Sequence, residues 1–359
     1  MELNTFNQFL AAAVKNGASD VHFRVGSSPA LRVNGQLLPV KVPALAPEDT
    51  SRLATHVLSA NRYKGQLDDL TDWDTSYALD GVGRFRVNVF RNKGHLGLIM
   101  RSIPFAIPDF QKLGLPTKVM EKISQEDRGL VLVTGVTGSG KSSTLAAIVS
   151  YINNHYRKHI LTIEDPIEFL HEDKFSRLTQ REIGPDTPSF STALRAALRQ
   201  DPDVILVGEM RDTETIEIAL KAAETGHLVL STVHTVDCVR TIGRIVGVFP
   251  PEGQTGVRNR LADNLKATVS QRLLPHASGK GRVVAAEIMV TTMTVVDYIK
   301  DTDKTGHIKD WLEKSHDLLG TQSFDQHLVA LLRQGLITKA VALEAASNAS
   351  DFERALAFE

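Results

Sequence analysis

The chain has almost no cysteine: Cys238 is the single one in 359 residues. That excludes an intrachain disulfide and any multi-cysteine zinc centre, and leaves Cys238 to be read as a small, partly buried packing residue. Neither sign of charge is in excess. Lysine and arginine number 41 against 42 aspartates and glutamates, so the net charge is −1 and no global basic field argues for a nucleic-acid partner. No apolar run is long enough to cross a bilayer, and Met1-Glu-Leu-Asn4 lacks the basic start of a secretory signal, so a cytoplasmic location is expected. Low-complexity stretches and internal repeats are missing too. What remains, 42% hydrophobic and 23% charged, is the make-up of a globular chain long enough for two domains.

What is present is a phosphate-binding signature. Gly135-Val-Thr-Gly-Ser-Gly-Lys-Ser142 follows the spacing G-x-x-x-x-G-K-[ST]. The apolar run Gly129–Thr134 before it predicts a buried strand, and Ser142–Ser150 after it predicts a helix. Glycines let backbone N–H groups curl around phosphate oxygens, and the helix N-terminus adds partial positive charge. Gly135, Thr137, Gly138, Ser139, Gly140, Lys141, Ser142 and Ser143 are therefore the candidate contacts to a nucleoside triphosphate. Lys141 is expected to reach the β- and γ-phosphates, and the Ser142 hydroxyl to ligate Mg²⁺.

Residues 1–120 mix helix and strand. Phe6, Leu10, Ala13 and Val14 share one face of an opening helix that Asn16-Gly17 ends. Strands are predicted at Val21–Val25 and Ala30–Val33, with Asn34-Gly35 as a hairpin turn. Gly83–Phe90 alternates, Phe85, Val87 and Val89 pointing one way and Arg84, Arg86 and Asn88 the other; a further strand ends at Arg101. Pro104, Pro108 and Pro116 punctuate a linker. Residues 121–290 alternate strand and helix, the pattern of an α/β nucleotide-binding core. Residues 291–359 form a helical C-terminal region. Val257, Leu261, Leu265 and Val269 recur at helical spacing, and Leu328, Leu331 and Leu332 predict a helix ended near Gln334-Gly335.

Three apolar strands deliver chemistry to one place. His159–Ile163 ends in Glu164-Asp165-Pro166, Asp203–Gly208 ends at Glu209, and His227–Val233 ends at His234. Ligands of open α/β sheets sit outside the carboxyl ends of the strands, so Glu164, Glu209 and His234 are expected at the edge that holds the phosphate loop. Glu209 fits a Walker B acid that holds Mg²⁺ directly or through water, and Glu164 a general base for the attacking water. His227 and His234 stand seven residues apart, an odd number, and cannot share a face of a regular strand. His234 is placed to sense the γ-phosphate, whereas His227 begins the strand and local geometry favours a structural role. Arg84, Arg86 and Arg101 are either a solvated strand face or arginines that reach a neighbouring subunit's nucleotide.

Taken together the motifs resemble the PilT/PilU family, the retraction ATPases of type IV pili within the secretion-ATPase superfamily. The carrying segments are Gly135–Ser142, Ile163-Glu-Asp-Pro-Ile-Glu168, Arg199-Gln-Asp-Pro-Asp203 with Val207-Gly-Glu209, and Ala223–His227 through Thr232–Thr235. Ala18-Ser-Asp-Val-His22, Gly83-Arg-Phe-Arg86 and Ser270-Gln-Arg-Leu-Leu274 add to them. The resemblance implies a RecA-like P-loop ATPase core joined to an N-terminal PAS-like α+β domain and a helical C-terminal region. It also implies ATP with Mg²⁺ and a homohexamer. On this sequence Glu164 becomes the catalytic acid and Glu209 the Walker B acid. His227 and His234 become a histidine box, and Arg84, Arg86 and Arg101 a trans-acting set. The implied function is an ATP-driven motor for pilus retraction and twitching motility, acting on an inner-membrane platform protein and peripherally associated with that membrane. Thr294-Val-Val296 stands where many retraction members have Ala-Ile-Arg, which keeps open an accessory ATPase working beside a paralogous, stronger motor. A nucleic-acid translocase on the same core is disfavoured by the near-neutral charge.

Overall fold

The computed structural model describes residues 1–33, 35–60, 67–103 and 107–358; Asn34 and Pro104, read above as turn and linker residues, lie outside the described residues. The chain divides into two compact units. The first comprises Met1–Ala106 together with Pro166–Leu170 and Glu182–Asp186, and the second comprises Ile107–Asp165, His171–Arg181 and Thr187–Glu359.

The first unit runs α1 (Leu3–Lys15), β1 (Ala18–Phe23), β2 (Ala30–Val33), β3 (Gln36–Pro39), α2 (Pro47–Ala60), β4 (Asp72–Leu79), β5 (Gly83–Asn92) and β6 (His95–Ile103). Its strands form an antiparallel sheet in the order β3-β2-β1-β6-β5-β4, a PAS-like α+β arrangement. The alternation read in β5 is what builds it: Phe85, Val87 and Val89 are fully buried against Phe6 and Leu10 of α1 and Leu53 and Val57 of α2. α1 ends at Asn16, and Gly17 takes the left-handed φ of 71° that terminates it.

The second unit begins with α3 (Thr117–Ser124), β7 (Gly129–Thr134), α4 (Lys141–His155), β8 (His159–Glu164), β9 (Arg177–Glu182) and α5 (Phe190–Ala197). It continues with β10 (Val204–Val207), α6 (Thr213–Glu224), β11 (Leu228–Val233), α7 (Cys238–Gly247), α8 (Pro251–Asn264), β12 (Leu265–Pro275) and β13 (Arg282–Val290). Its sheet has the order β13-β12-β7-β11-β10-β8-β9. The strands from β12 through β8 run parallel, and β13 pairs antiparallel to β12. β7, β10 and β11 are buried at every position, as expected of central parallel strands covered on both faces.

One periodicity was misleading. Val257 and Leu261 are buried on α8, but Leu265 and Val269 lie on β12, where Leu265, Ala267 and Val269 alternate beside β7. Four-residue spacing satisfies a two-residue period as well as a helical one, and pairing with β7 decides between them.

The chain closes with α9 (Met293–Lys300), α10 (Ile308–Lys314), α11 (His316–Leu319), α12 (Phe324–Arg333), α13 (Lys339–Ala345) and α14 (Ala349–Phe358). Phe324, Leu328 and Leu331 of α12 pack with Phe352 against Leu274 and Ala285 on the antiparallel edge of the sheet. The α12 helix ends at Gln334, as the sequence predicts. No helix among the described residues is long and apolar enough to cross a membrane.

Candidate nucleotide site

Residues 135–140 join the end of β7 to the start of α4 with left-handed φ values at Gly135 (143°), Gly138 (79°) and Gly140 (92°). Gly135 is also a matter of space: a Cβ there would stand 2.4 Å from Ser139 Oγ and 2.5 Å from the Gln271 carbonyl. Gly140 is the N-cap of α4, so the first-turn N–H groups at Lys141, Ser142 and Ser143 open onto the loop. The Lys141 ammonium is buried and donates to the carbonyls of Gly135 (2.9 Å) and Val136 (3.0 Å), which wraps the loop around it. Thr137 is exposed on the loop, whereas the Ser139 hydroxyl is buried without a hydrogen-bond partner among the described residues. A glycine loop with no room for a Cβ at Gly135, a buried ammonium and an open helix N-terminus fit the phosphates of a nucleotide.

Parallel register brings the acids and His234 to this edge. Thr134 pairs with Val233, and Val207 pairs with both Ser231 and Ile163, so Gly135, His234, Glu209 and Glu164 all leave the sheet on one side. Ser231 and Thr232 donate their hydroxyls to the carbonyls of Val207 (2.7 Å) and Gly208 (2.6 Å), tying the ends of β10 and β11 together. Glu209 Oε2 lies 2.7 Å from Arg211 Nε and 3.6 Å from His234 Nε2. Burial holds the His234 pKa below its ordinary value, helped by the Lys141 charge and opposed by Glu209. The imidazole is therefore biased toward its neutral form beside the loop.

Glu164 sits at the same edge but in a different lane. β11 and β10 stand between β7 and β8, so its strand runs roughly 14 Å from the loop strand at ordinary strand spacing. Its Oε1 accepts from Thr162 Oγ1 (2.7 Å) and Gln180 Nε2 (3.2 Å), which orients the carboxylate. His227 is not brought to the loop of its own chain. It precedes β11 at the opposite edge, roughly 20 Å away along the strand, with Nδ1 2.9 Å from the Ala222 carbonyl at the end of α6.

The three arginines lie on one face of the first unit's sheet and differ in their commitments. Arg84 is mostly buried; it forms an ion pair with Glu182, itself 1% exposed, and donates to Ser76 Oγ (2.7 Å). Ser76 also donates to Glu182 (2.7 Å), and the Ile167 N–H reaches the same carboxylate at 3.1 Å. Arg101 is exposed, with Nε 2.8 Å from Asp20 Oδ1. Burial would raise the Asp20 pKa, but hydrogen bonds from Arg101 and Ser19 hold it below the usual carboxylate range. Arg86 lies between them, in register with Ser76 on β4 and Arg101 on β6, and is exposed without an ion-pair partner among the described residues.

Arg211, Glu182 and Asp20 were not singled out from sequence. Arg211 stands two residues after the Walker B candidate, a visible signal; Glu182 meets Arg84 across 98 residues and leaves none.

PilT, the type IV pilus retraction ATPase of Pseudomonas aeruginosa, is 44% identical over 345 residues, covering 96% of this chain and 99% of PilT. PilU of the same organism is 38% identical over 348 residues, covering 96% and 90%. A crystal structure of the pilus retraction motor PilT with bound ADP superposes with a TM-score of 0.86 at 46% identity, covering 97% of this chain and 98% of that one. The ATPase DotB of Legionella pneumophila follows at a TM-score of 0.81 and 30% identity, covering 94% of each chain. The profile described as Type II/IV secretion system protein matches residues 3–306. A match across most of the chain, with relatives aligned nearly end to end, makes this protein a member of the Type II/IV secretion system protein family.

Proposed function

We propose that this chain is the ATP-hydrolysing motor of type IV pilus retraction, a homohexamer that drives pilin disassembly through a platform protein at the inner membrane. The observation that carries the enzymatic part is the meeting of Lys141, Glu209 and His234 at a glycine cradle shaped for phosphates. Near end-to-end likeness to PilT supports the retraction role.

The roles follow from placement. Backbone N–H groups of residues 135–143 hold phosphate oxygens, and Lys141 exchanges its loop carbonyls for the β- and γ-phosphates. Ser142 through its hydroxyl and Glu209 through its carboxylate would hold Mg²⁺. When bound, the metal would neutralise charge on the phosphoryl oxygens. Glu164, held by Thr162 and Gln180, accepts a proton from the attacking water. His234, biased neutral, is free to donate or accept at the terminal phosphate and report its presence. His227 stays at the far edge of its own subunit as the anchor between α6 and β11. Arginines of the first unit act on a neighbour's nucleotide, Arg86 foremost because it is exposed and forms no ion pair among the described residues.

The test is ATP turnover of the purified chain measured against oligomeric mass. Turnover per subunit should rise with ring formation; equal turnover in monomer and ring would overturn the trans-arginine reading, and no calorimetric heat with ATP would overturn the whole. A second reading, an accessory ATPase beside a paralogous motor, is favoured by Thr294-Val-Val296 at the start of α9 and by the likeness to PilU. Loss of retraction on deleting the gene in a strain that keeps the paralogue would reject it.

A further inference from the structure

Arg211 has no place in the roles assigned above, yet it makes the shortest contact at Glu209. Its Nε stands 2.7 Å from Glu209 Oε2, the oxygen that His234 approaches at 3.6 Å. Glu209 is mostly buried with its side chain 17% exposed, whereas the Arg211 side chain is 72% exposed.

The backbone on either side of Arg211 is pinned. Met210 is buried and its N–H donates to the Thr232 carbonyl (3.2 Å). Asp212 caps α6 through the Thr215 N–H (2.8 Å) and the Thr215 hydroxyl (3.0 Å). The guanidinium can therefore leave Glu209 by side-chain rotation alone, into solvent that already bathes it. Glu209 is the more enclosed of the two, on a strand end that Thr232 ties at Gly208.

A carboxylate this enclosed needs a counter-charge in every state of the site. The ammonium of Lys141 donates to loop carbonyls, and among the described residues Arg211 makes the shorter of the two ion-pair contacts at Glu209, ahead of His234. A divalent ion arriving with nucleotide supplies that counter-charge itself, and a dication and a guanidinium on one carboxylate oxygen repel each other.

We propose that Arg211 is a place-holding counter-ion: it neutralises Glu209 while the metal is away, is exchanged for the divalent cation on nucleotide loading, and thereby sets the magnesium concentration at which the nucleotide is held tightly. Arg211 is thus a positioning residue that acts through Glu209. The inference rests on the reading of Glu209 as the metal-side acid.

The experiment titrates a fluorescent ADP analogue into wild type, Arg211→Ala and Glu209→Gln, first in EDTA and then at rising MgCl₂. Removing a competing cation should lower the half-saturating magnesium about three- to fivefold in Arg211→Ala, the scale of one partly exposed ion pair. In EDTA the same variant should bind ADP more weakly, because an uncompensated carboxylate then faces the phosphates. A merely structural Arg211 predicts the opposite for magnesium, a threshold that is unchanged or raised, and that result overturns the proposal. Arg211→Lys keeps the charge without the planar fork and should fall between, which keeps the test alive if the alanine variant folds poorly. The two failures separate. Undiminished magnesium dependence in Glu209→Gln overturns the metal-side reading and this inference with it. Lost dependence in Glu209→Gln beside an unchanged threshold in Arg211→Ala overturns the inference alone.

Discussion

The parallel sheet and the antiparallel sheet both gather charged side chains, one at an edge and the other on a face, but they position them by different means. At the carboxyl edge of the parallel sheet the backbone does the placing. Register sets Gly135, His234, Glu209 and Glu164 on one side, and loop carbonyls hold Lys141. On the antiparallel sheet, register sets Arg86 between Ser76 and Arg101, but ion pairs decide what each arginine is free to do. A backbone-placed cluster tolerates side-chain exchange and fails when the loop changes shape. A cluster governed by ion pairs should divide into members that hold the fold and members that act.

The largest effect should follow from a change to the backbone-placed side. Gly135→Ala puts a methyl 2.4 Å from Ser139 Oγ and forces a non-glycine residue to φ 143°. The loop must shift, and the phosphate-facing N–H groups shift with it. ATP turnover should fall about 100-fold or more, the cost of misplacing reacting groups by an ångström. The melting temperature should move far less. Near-normal turnover in Gly135→Ala would show that the cradle is not the site.

This contrast also explains what the sequence made legible. The phosphate loop was readable because its parts are contiguous in sequence. The strand-end acids were readable because central parallel strands are continuous apolar runs whose last residue is easily located, as in Val204–Val207 before Glu209. Partners fixed by tertiary folding were not readable: Glu182 meets Arg84 across 98 residues, and Asp20 meets Arg101 across 81. The misassigned stripe at Leu265 and Val269 has the same origin, since only pairing with β7 distinguishes strand from helix there. His227 and His234 occupy one motif yet opposite strand ends, a separation that a six-residue strand makes unavoidable.

Arg84 and Arg86 provide the sharper test. Arg84→Ala takes the guanidinium from the Glu182 carboxylate, 1% exposed, and leaves it the Ser76 hydroxyl and the Ile167 N–H. Breaking a buried pair from one side costs about 3–5 kcal/mol, so urea unfolding of this variant should shift strongly. Arg86→Ala should leave the unfolding curve in place, because the side chain is exposed and forms no ion pair among the described residues. Its purified ring should nonetheless hydrolyse ATP more slowly by about 10-fold or more if the guanidinium serves a neighbour. Full activity in an Arg86→Ala ring discards that role. Equal destabilisation by both substitutions erases the division argued here.

The smallest effect concerns protons rather than mutations and belongs to the tail that braces the parallel sheet. His327 on α12 accepts the Ala286 N–H at 2.9 Å, and burial drives its pKa down to about 4. His171 is lowered to about 4 by burial alone. In the folded protein both stay neutral, while in the unfolded chain both titrate near 6.5. Below that value the unfolded state binds more protons, so stability is full above about pH 6.5 and is lost as pH falls toward 4. Each histidine contributes at most roughly 1.4 kcal/mol per pH unit in that window. His327→Gln, which keeps an acceptor for Ala286, should flatten the urea midpoint between pH 6.5 and 4.5 by about half of the two-histidine slope. The nucleotide edge should be indifferent to it: ADP affinity at pH 7.5 should be unchanged, since His327→Gln keeps the acceptor for Ala286 and β12 stands between β13 and the loop strand β7. A loss of ADP affinity in His327→Gln at that pH would mean that the tail and the phosphate loop are mechanically one unit.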